Sequence, residues 1–265
     1  MAADQADVVS GELWELGTTG IEEQLSGDQI VLLAGFSSAV DADAAAAQLG
    51  RFTVLEEVGS QSYLDTWREF AEVHRAGNRI VVRPPWVEHH TEPGDLVLHI
   101  EPGRSFGSGS HPSTRLALAD LEVVLEGSER VLDVGCGSGV LSVAAARLGA
   151  TEVLGIDIDH DASRITLDNA RRNGVADHVQ ATTTPLSEVD GIFDVVVANM
   201  LAAVLTEVGR ELAAKVRPGG RLIVAGLLRD QIDEVVAALD PLPHLTTRAC
   251  EPVDGTWVSL TLGTA

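Results

Sequence analysis

From Arg130 to Leu228 the chain alternates apolar runs of strand length with amphipathic stretches of helix length, and few folds accommodate that order. "RVLDVG" precedes the helical pattern "VLSVAAARLG", and "EVLGIDI" precedes "ASRITLDNARRNG", which Gly174 stops. "FDVVVANM" precedes "LTEVGRELAAKV", and "GRLIVAGL" follows the turn Pro218-Gly219-Gly220. The strands are apolar on both faces, so helices must cover both sides of the sheet they build. The expected fold is α/β, a doubly wound, mostly parallel, Rossmann-like sheet with a small N-terminal α+β domain. In such sheets ligands bind beyond the carboxyl ends of the strands, where the strand order reverses.

The N-terminal α+β expectation rests on a change of texture upstream. Ala6, Val9, Leu13 and Leu16 recur at helical spacing, and "QIVLLAGF" reads as a buried strand. "DADAAAAQLG" reads as a short helix stopped by Gly50, and "FTVLEEV" as another strand. "SYLDTWREFAEVHRAG", with Leu64, Trp67 and Ala71 on one face, reads as a connecting helix that ends at Gly77. "NRIVVRP" and "DLVLHI" read as strands on either side of a turn marked by Pro84 and Pro85. The spacing thus divides the chain into an N-terminal domain over residues 1–60, a linker helix over 61–77 and the sheet domain over 78–265.

Composition excludes some classes of function. Hydrophobic residues make up 45% of the chain, enough for a sizeable core, yet no apolar stretch approaches a membrane span. "MAADQADVV" lacks the basic and apolar regions of a signal peptide, and Cys136 and Cys250 make no disulfide framework. A cytoplasmic protein is expected. The net charge of −22 opposes direct binding to nucleic acid. It suits attraction to a basic partner, and equally a solubility bias or adaptation to salt.

The stretch "DVGCGSGVLSVAAARLG" sets three glycines, Gly135, Gly137 and Gly139, after the first strand of the alternating part. A dinucleotide fingerprint starting at Gly135 needs glycine where Val140 stands. A Walker loop needs a lysine, and Lys215 is the chain's sole lysine. The pattern Asp-x-Gly-x-Gly-x-Gly from Asp133 instead resembles the first motif of class I S-adenosylmethionine methyltransferases. There, bare glycines let the backbone approach the methionine part, and Asp133 can accept hydrogen bonds near its ammonium. Asp157 follows Gly139 by eighteen residues at a strand end, where a carboxylate can take both ribose hydroxyls. Asp157, Asp159 and Asp161 also mimic the start of a calcium loop, but Ala162 and Asp168 stand where that loop needs glycine and glutamate. Asp159 and Asp161 read as a solvated helix N-terminus.

Two further segments carry chemistry. Asn199 closes "FDVVVANM" without the Pro-Pro-Tyr that holds a flat amide or adenine, which favours a flexible amine target. The alternative is that Asn199 caps the following helix. Upstream, Pro112 sits before an apolar helix pattern, with Ser110, Ser113 and Thr114 near its start. The glycine-rich "FGSGSH" reads as a loop able to close over a cofactor, or as an ordinary mobile loop. His89 and His90 lack companions at metal-ligand spacing and read as surface residues, so no metal is expected.

Together "PGRSFGSGSHPSTRLAL", "DVGCGSGVLSVAAARLGA", "GIDIDHDA", "NARRNGV" and "VVANMLA" resemble the ribosomal protein L-eleven methyltransferases over most of the chain after about Ile80. The usual family form has threonines at Ser108 and Ser113, a change that keeps the hydroxyls. The resemblance implies that Thr114, Gly135, Asp157 and Asn199 contact S-adenosylmethionine; Asn199 is also the expected catalytic residue, by orienting the amine lone pair. It implies methylation of lysine side chains and an N-terminal amine of that ribosomal protein; a monomer is expected. "ELWELGTTGIEEQ" resembles the family's substrate-recognition domain, although that domain opens with a strand that "MAADQ" is too short to supply. Other readings are a lysine methyltransferase of the electron-transfer flavoprotein beta type, a small-molecule methyltransferase, and a non-catalytic S-adenosylmethionine-binding module. His111 is a weak candidate base, with a structural place in its turn as the alternative.

Overall fold

The computed structural model describes residues 9, 13, 16–18, 20–26, 29–36, 38–50, 72–101, 107, 109–249 and 257–263. The chain divides into two compact units, Met1–Thr66 and Trp67–Ala265.

In the first unit Val9 and Leu13 are helical and buried, as their spacing predicts. Strand β1 (Gly20–Ser26) pairs antiparallel with β2 (Gln29–Gly35), from Gly20 opposite Gly35 to Ser26 opposite Gln29. The expectation of a buried β2 is corrected: Val31 is 40% exposed and Gly35 is exposed, because a two-stranded ribbon covers too little surface. Helix α1 (Ala39–Leu49) starts where the Ser38 hydroxyl accepts the Asp41 amide. It ends at Gly50 in the left-handed conformation, the stop its glycine predicts. The strand expected at Phe52–Val58 lies outside the described residues.

The second unit opens with a three-stranded sheet, β3 (His74–Ala76), β4 (Ile80–Arg83) and β5 (Leu96–His99). The connecting helix expected to run to Gly77 is thereby corrected at its end. His74–Ala76 pairs antiparallel with β4 across a turn at Gly77, and the Glu122 carboxylate accepts the Asn78 and Arg79 amides of that turn. These long-range bonds override the local helical pattern.

The main sheet contains seven strands in the order β11-β12-β10-β9-β6-β7-β8. Its elements are α2 (Pro112–Val124), β6 (Arg130–Val134), α3 (Val140–Arg147), β7 (Glu152–Ile156), α4 (His160–Arg172), β8 (Val179–Thr182), β9 (Phe193–Asn199), α5 (Ala202–Ala214), β10 (Val216–Leu228), α6 (Ile232–Ala238), β11 (His244–Ala249) and β12 (Trp257–Gly263). β6 to β10 are parallel, whereas β12 runs antiparallel to both its neighbours. Successive residues point to opposite faces of a strand. Val131, Val195, Val197 and Ile223 accordingly enter one core with Leu118, Leu121 and Ala144. Leu132, Val196, Leu222 and Val224 enter a second core with Leu205, Leu212 and Val235. This is the doubly covered sheet that two-sided apolar strands require. The order reverses at β6, which pairs with β7 on one side and with β9 on the other, so the crevice opens where the glycine loop leaves β6.

Candidate active site

The glycine loop joins β6 to α3. Gly135, Gly137 and Gly139 all have positive φ, 74°, 52° and 77°, which L side chains rarely adopt. Close approaches add to the demand at two of them. A Cβ on Gly135 would stand 2.9 Å from Met200 Cε, and one on Gly139 would stand 2.8 Å from the Thr166 backbone. The loop folds back on β7, whose Ile156 carbonyl accepts the amides of Gly135 and Cys136 at 2.8 and 3.0 Å.

Asp157 and Asp133 flank this loop with contrasting environments. Asp157 Oδ2 accepts the Gly137 amide at 2.9 Å and Oδ1 the Asp159 amide at 3.0 Å, while the residue stays partly exposed. Each carboxylate oxygen retains a lone pair for a further donor. Asp133 is fully buried; its Oδ2 accepts the Ser142 hydroxyl at 2.6 Å, and Oδ1 has no hydrogen-bond partner. Desolvation pushes its pKa up to about 7, against the lowering effect of Ser142. Buried polar atoms are almost always paired, so an orphaned carboxylate oxygen beside a bare loop fits a ligand carrying donors. An α-amino acid moiety such as that of S-adenosylmethionine has them.

Asn199 ends β9, and its Nδ2 donates to Thr114 Oγ1 at 3.1 Å. Thr114 lies fully buried in the first turn of α2. The cap alternative fails for Asn199: α5 begins after Leu201, which makes no side-chain cap bond. The Met200 side chain then lies against Gly135, so the Asn199 turn sits on the glycine loop. Asp133, the three glycines and Asp157 thus gather at the ends of β6 and β7, with the Thr114–Asn199 pair beside them at the end of β9.

His111 caps α2. Its Nδ1 accepts the Ser113 amide at 3.2 Å and lies 2.7 Å from the Ser113 hydroxyl, while its ring meets Trp257 edge-on at 4.6 Å. Burial, then Arg115, lowers its pKa and keeps the imidazole neutral. A ring nitrogen already accepting from the helix is not available as a dedicated base. Burial pushes the Cys136 thiol up and leaves it unreactive. Residues 102–106 and Ser108 of the "FGSGSH" region lie outside the described residues; Gly107 accepts the Ser138 hydroxyl at 2.6 Å through its carbonyl. No cluster suited to a metal ion exists among the described residues.

Three further residues beside the site are not singled out by any motif. Gly226, with φ 90°, sits in the bulge where pairing of β10 with β12 slips, and a Cβ added there would overlap the Met200 carbonyl. An isolated glycine inside an apolar strand is the signal for such an approach. Ile158, between Asp157 and the solvated Asp159, is 98% exposed, and Leu201, after Met200, is 49% exposed although its neighbours in the sequence are apolar.

This seven-stranded order and the glycine loop with its following acidic strand end define a class I methyltransferase fold. Residues 19–264 match the family model described as ribosomal protein L11 methyltransferase (PrmA). The chain belongs to that family. A ribosomal protein L11 methyltransferase of Syntrophotalea carbinolica is 44% identical over 187 residues, covering 69% of this chain and 61% of that protein. The Pelobacter propionicus relative is 33% identical over 292 residues, covering 97% of this chain and 93% of that protein. The match to the first of these therefore spans less than two thirds of its length. The crystal structure of a ribosomal protein L11 methylase from Lactobacillus delbrueckii subsp. bulgaricus superposes with a TM-score of 0.65 at 28% identity, covering 72% of this chain and 97% of that one.

Proposed function

We propose that the chain transfers methyl groups from S-adenosylmethionine to amines of ribosomal protein L11. The observation that carries this reading is the meeting of two half-sites: Asn199, fixed by Thr114, leads directly into Met200 on the glycine loop. Bound there, S-adenosylmethionine supplies an electrophilic methyl group on a sulfonium. Gly135, Gly137 and Gly139 admit its methionine part, the orphaned Asp133 oxygen takes its ammonium, and Asp157 takes its ribose hydroxyls. Ile158 offers an exposed apolar face beside that ribose position.

The acceptor amine must be neutral to attack. A lysine with a pKa of about 10.4 costs roughly 4–5 kcal/mol to deprotonate at neutral pH, at about 1.36 kcal/mol per unit. Desolvation against Met200 and Leu201 lowers that cost. Asn199 gives one Nδ2 hydrogen to Thr114 and keeps Oδ1 to accept an amine N–H and aim the lone pair. With His111 and Cys136 unsuited to proton transfer, positioning carries most of the rate. The N-terminal unit holds the protein substrate, and the enzyme works as a cytoplasmic monomer; no helix among the described residues is long and apolar enough to cross a membrane.

The cofactor half of this reading is tested by titration calorimetry. Asp157→Ala removes acceptors for two hydrogen bonds worth about 1.5–3 kcal/mol each when charged, so affinity for S-adenosylmethionine falls at least about tenfold. Gly135→Val abolishes binding. Unchanged affinity in folded Asp157→Ala overturns the ribose assignment, and tighter binding of a nicotinamide dinucleotide overturns the class of cofactor.

A further inference from the structure

Helix α4 carries a polar stripe that neither the core nor the solvent explains. Thr166 and Asn169, with Asn173 capping the helix's C-terminal end, follow one another at i, i+3 and i+7, so they share a face, and all three are buried. The first two reach consecutive carbonyls of the glycine loop. The Thr166 hydroxyl donates to Gly137 O at 3.2 Å, and Asn169 Nδ2 donates to Ser138 O at 2.8 Å. Asn169 is held in turn by the Glu101 backbone: its Oδ1 accepts the Glu101 amide at 3.0 Å, and its Nδ2 also donates to the Glu101 carbonyl at 3.0 Å. Asn173 repeats this exchange one turn on, with the His99 amide and carbonyl both at 2.8 Å. On the other side of the loop, Asp157 takes the Gly137 amide.

A glycine-rich loop has little intrinsic preference among backbone conformations, so its shape must come from its neighbours. Drawing two successive carbonyls toward α4 fixes two peptide planes, and the amides on those planes are turned by the same constraint. We propose that Thr166 and Asn169 are positioning residues for cofactor binding, which hold the Gly137 and Ser138 peptides in the orientation the ligand needs. They act through the loop and touch no substrate. The inference rests on the reading that this loop binds S-adenosylmethionine.

Thr166→Val keeps the shape and the methyl group beside Gly139 but deletes the donor. Calorimetry should show affinity for S-adenosylmethionine falling about 3- to 10-fold, the size of one neutral hydrogen bond. Thr166→Ser, which restores the hydroxyl, should recover affinity to within about twofold of the parent by the same reasoning. In steady state the loss should fall on KM for S-adenosylmethionine more than on kcat. Asn169→Asp, which loses both N–H donors and sets an oxygen against two carbonyls, should weaken binding further. A role confined to folding lowers the melting temperature while affinity per folded molecule stays at the parent value; that result for Thr166→Val overturns the proposal. Failure of the serine variant to recover affinity also overturns it. A parent chain that takes up no S-adenosylmethionine overturns the cofactor reading itself, which the parent titration reports separately.

Discussion

The burial of Asp133 makes the stability of the folded chain depend on pH. Asp133 has an ordinary aspartate pKa of 3.8 when unfolded and about 7 when folded, because burial disfavours its charge. Between those values the folded chain holds a proton that the unfolded chain has released, so stability falls as pH rises from about 4 to about 7. Above pH 7 the accumulated cost is about 4 kcal/mol, at about 1.36 kcal/mol per unit. Asp133→Asn should therefore melt higher than the parent at pH 8, with the difference fading toward pH 4, while losing affinity for S-adenosylmethionine. Thermal melts at both pH values check the first part and calorimetry the second. Because a bound ammonium favours the ionised carboxylate, parent affinity should rise as pH increases through 7, with proton release on binding. Asn199→Ala should lose methyl transfer while costing only about 1–3 kcal/mol of stability, since Asn199 caps no helix and gives up one bond to buried Thr114. A large melting shift with transfer intact in the folded fraction would contradict the assignment.

At the scale of elements, legibility followed burial on two faces. β6, β7, β9 and the apolar part of β10 are buried by helices on either side, so their sequences are continuous apolar runs that could hardly be read otherwise. β8 mixes polar and apolar residues, and β11 is exposed along nearly its whole length, so neither carries a pattern to read. β1, with Glu22 and Glu23, was equally silent because its strand state comes from pairing with β2. The glycine loop and Asp157 were visible because backbone geometry demands glycine there, and the strand end places the carboxylate. The bond between Thr114 and Asn199 spans 85 positions and no local pattern encodes it. Gly226 is legible only as an isolated glycine in an apolar strand; its φ of 90° belongs to the bulge between β10 and β12, and the space beside it is taken by the Met200 carbonyl after β9. Gly226→Ala should destabilise the chain by about 1–3 kcal/mol through backbone strain and displace the Asn199 turn. Denaturant unfolding measures the first effect, and a disproportionate loss of turnover relative to S-adenosylmethionine affinity reports the second.

For the whole molecule, the division at Thr66 separates an N-terminal unit without cofactor motifs from the unit that holds them all. A tethered module that docks the protein substrate lets one active site reach several amines, because the tether raises their local concentration without fixing one presentation. Glu12, Glu15, Glu22 and Glu23 in that unit suit a basic ribosomal partner. Deleting residues 1–60 should spare S-adenosylmethionine binding and abolish methylation of the intact protein substrate; full activity after deletion would refute docking by this unit. The central claim is tested most directly by incubating the full chain with labelled S-adenosylmethionine and unmethylated ribosomal protein L11, then locating the label by peptide mass spectrometry. The account predicts methyl groups on lysine side chains and the N-terminal amine of L11, lost with Asn199→Ala. An L11 that stays unlabelled while the chain demonstrably binds S-adenosylmethionine would contradict it.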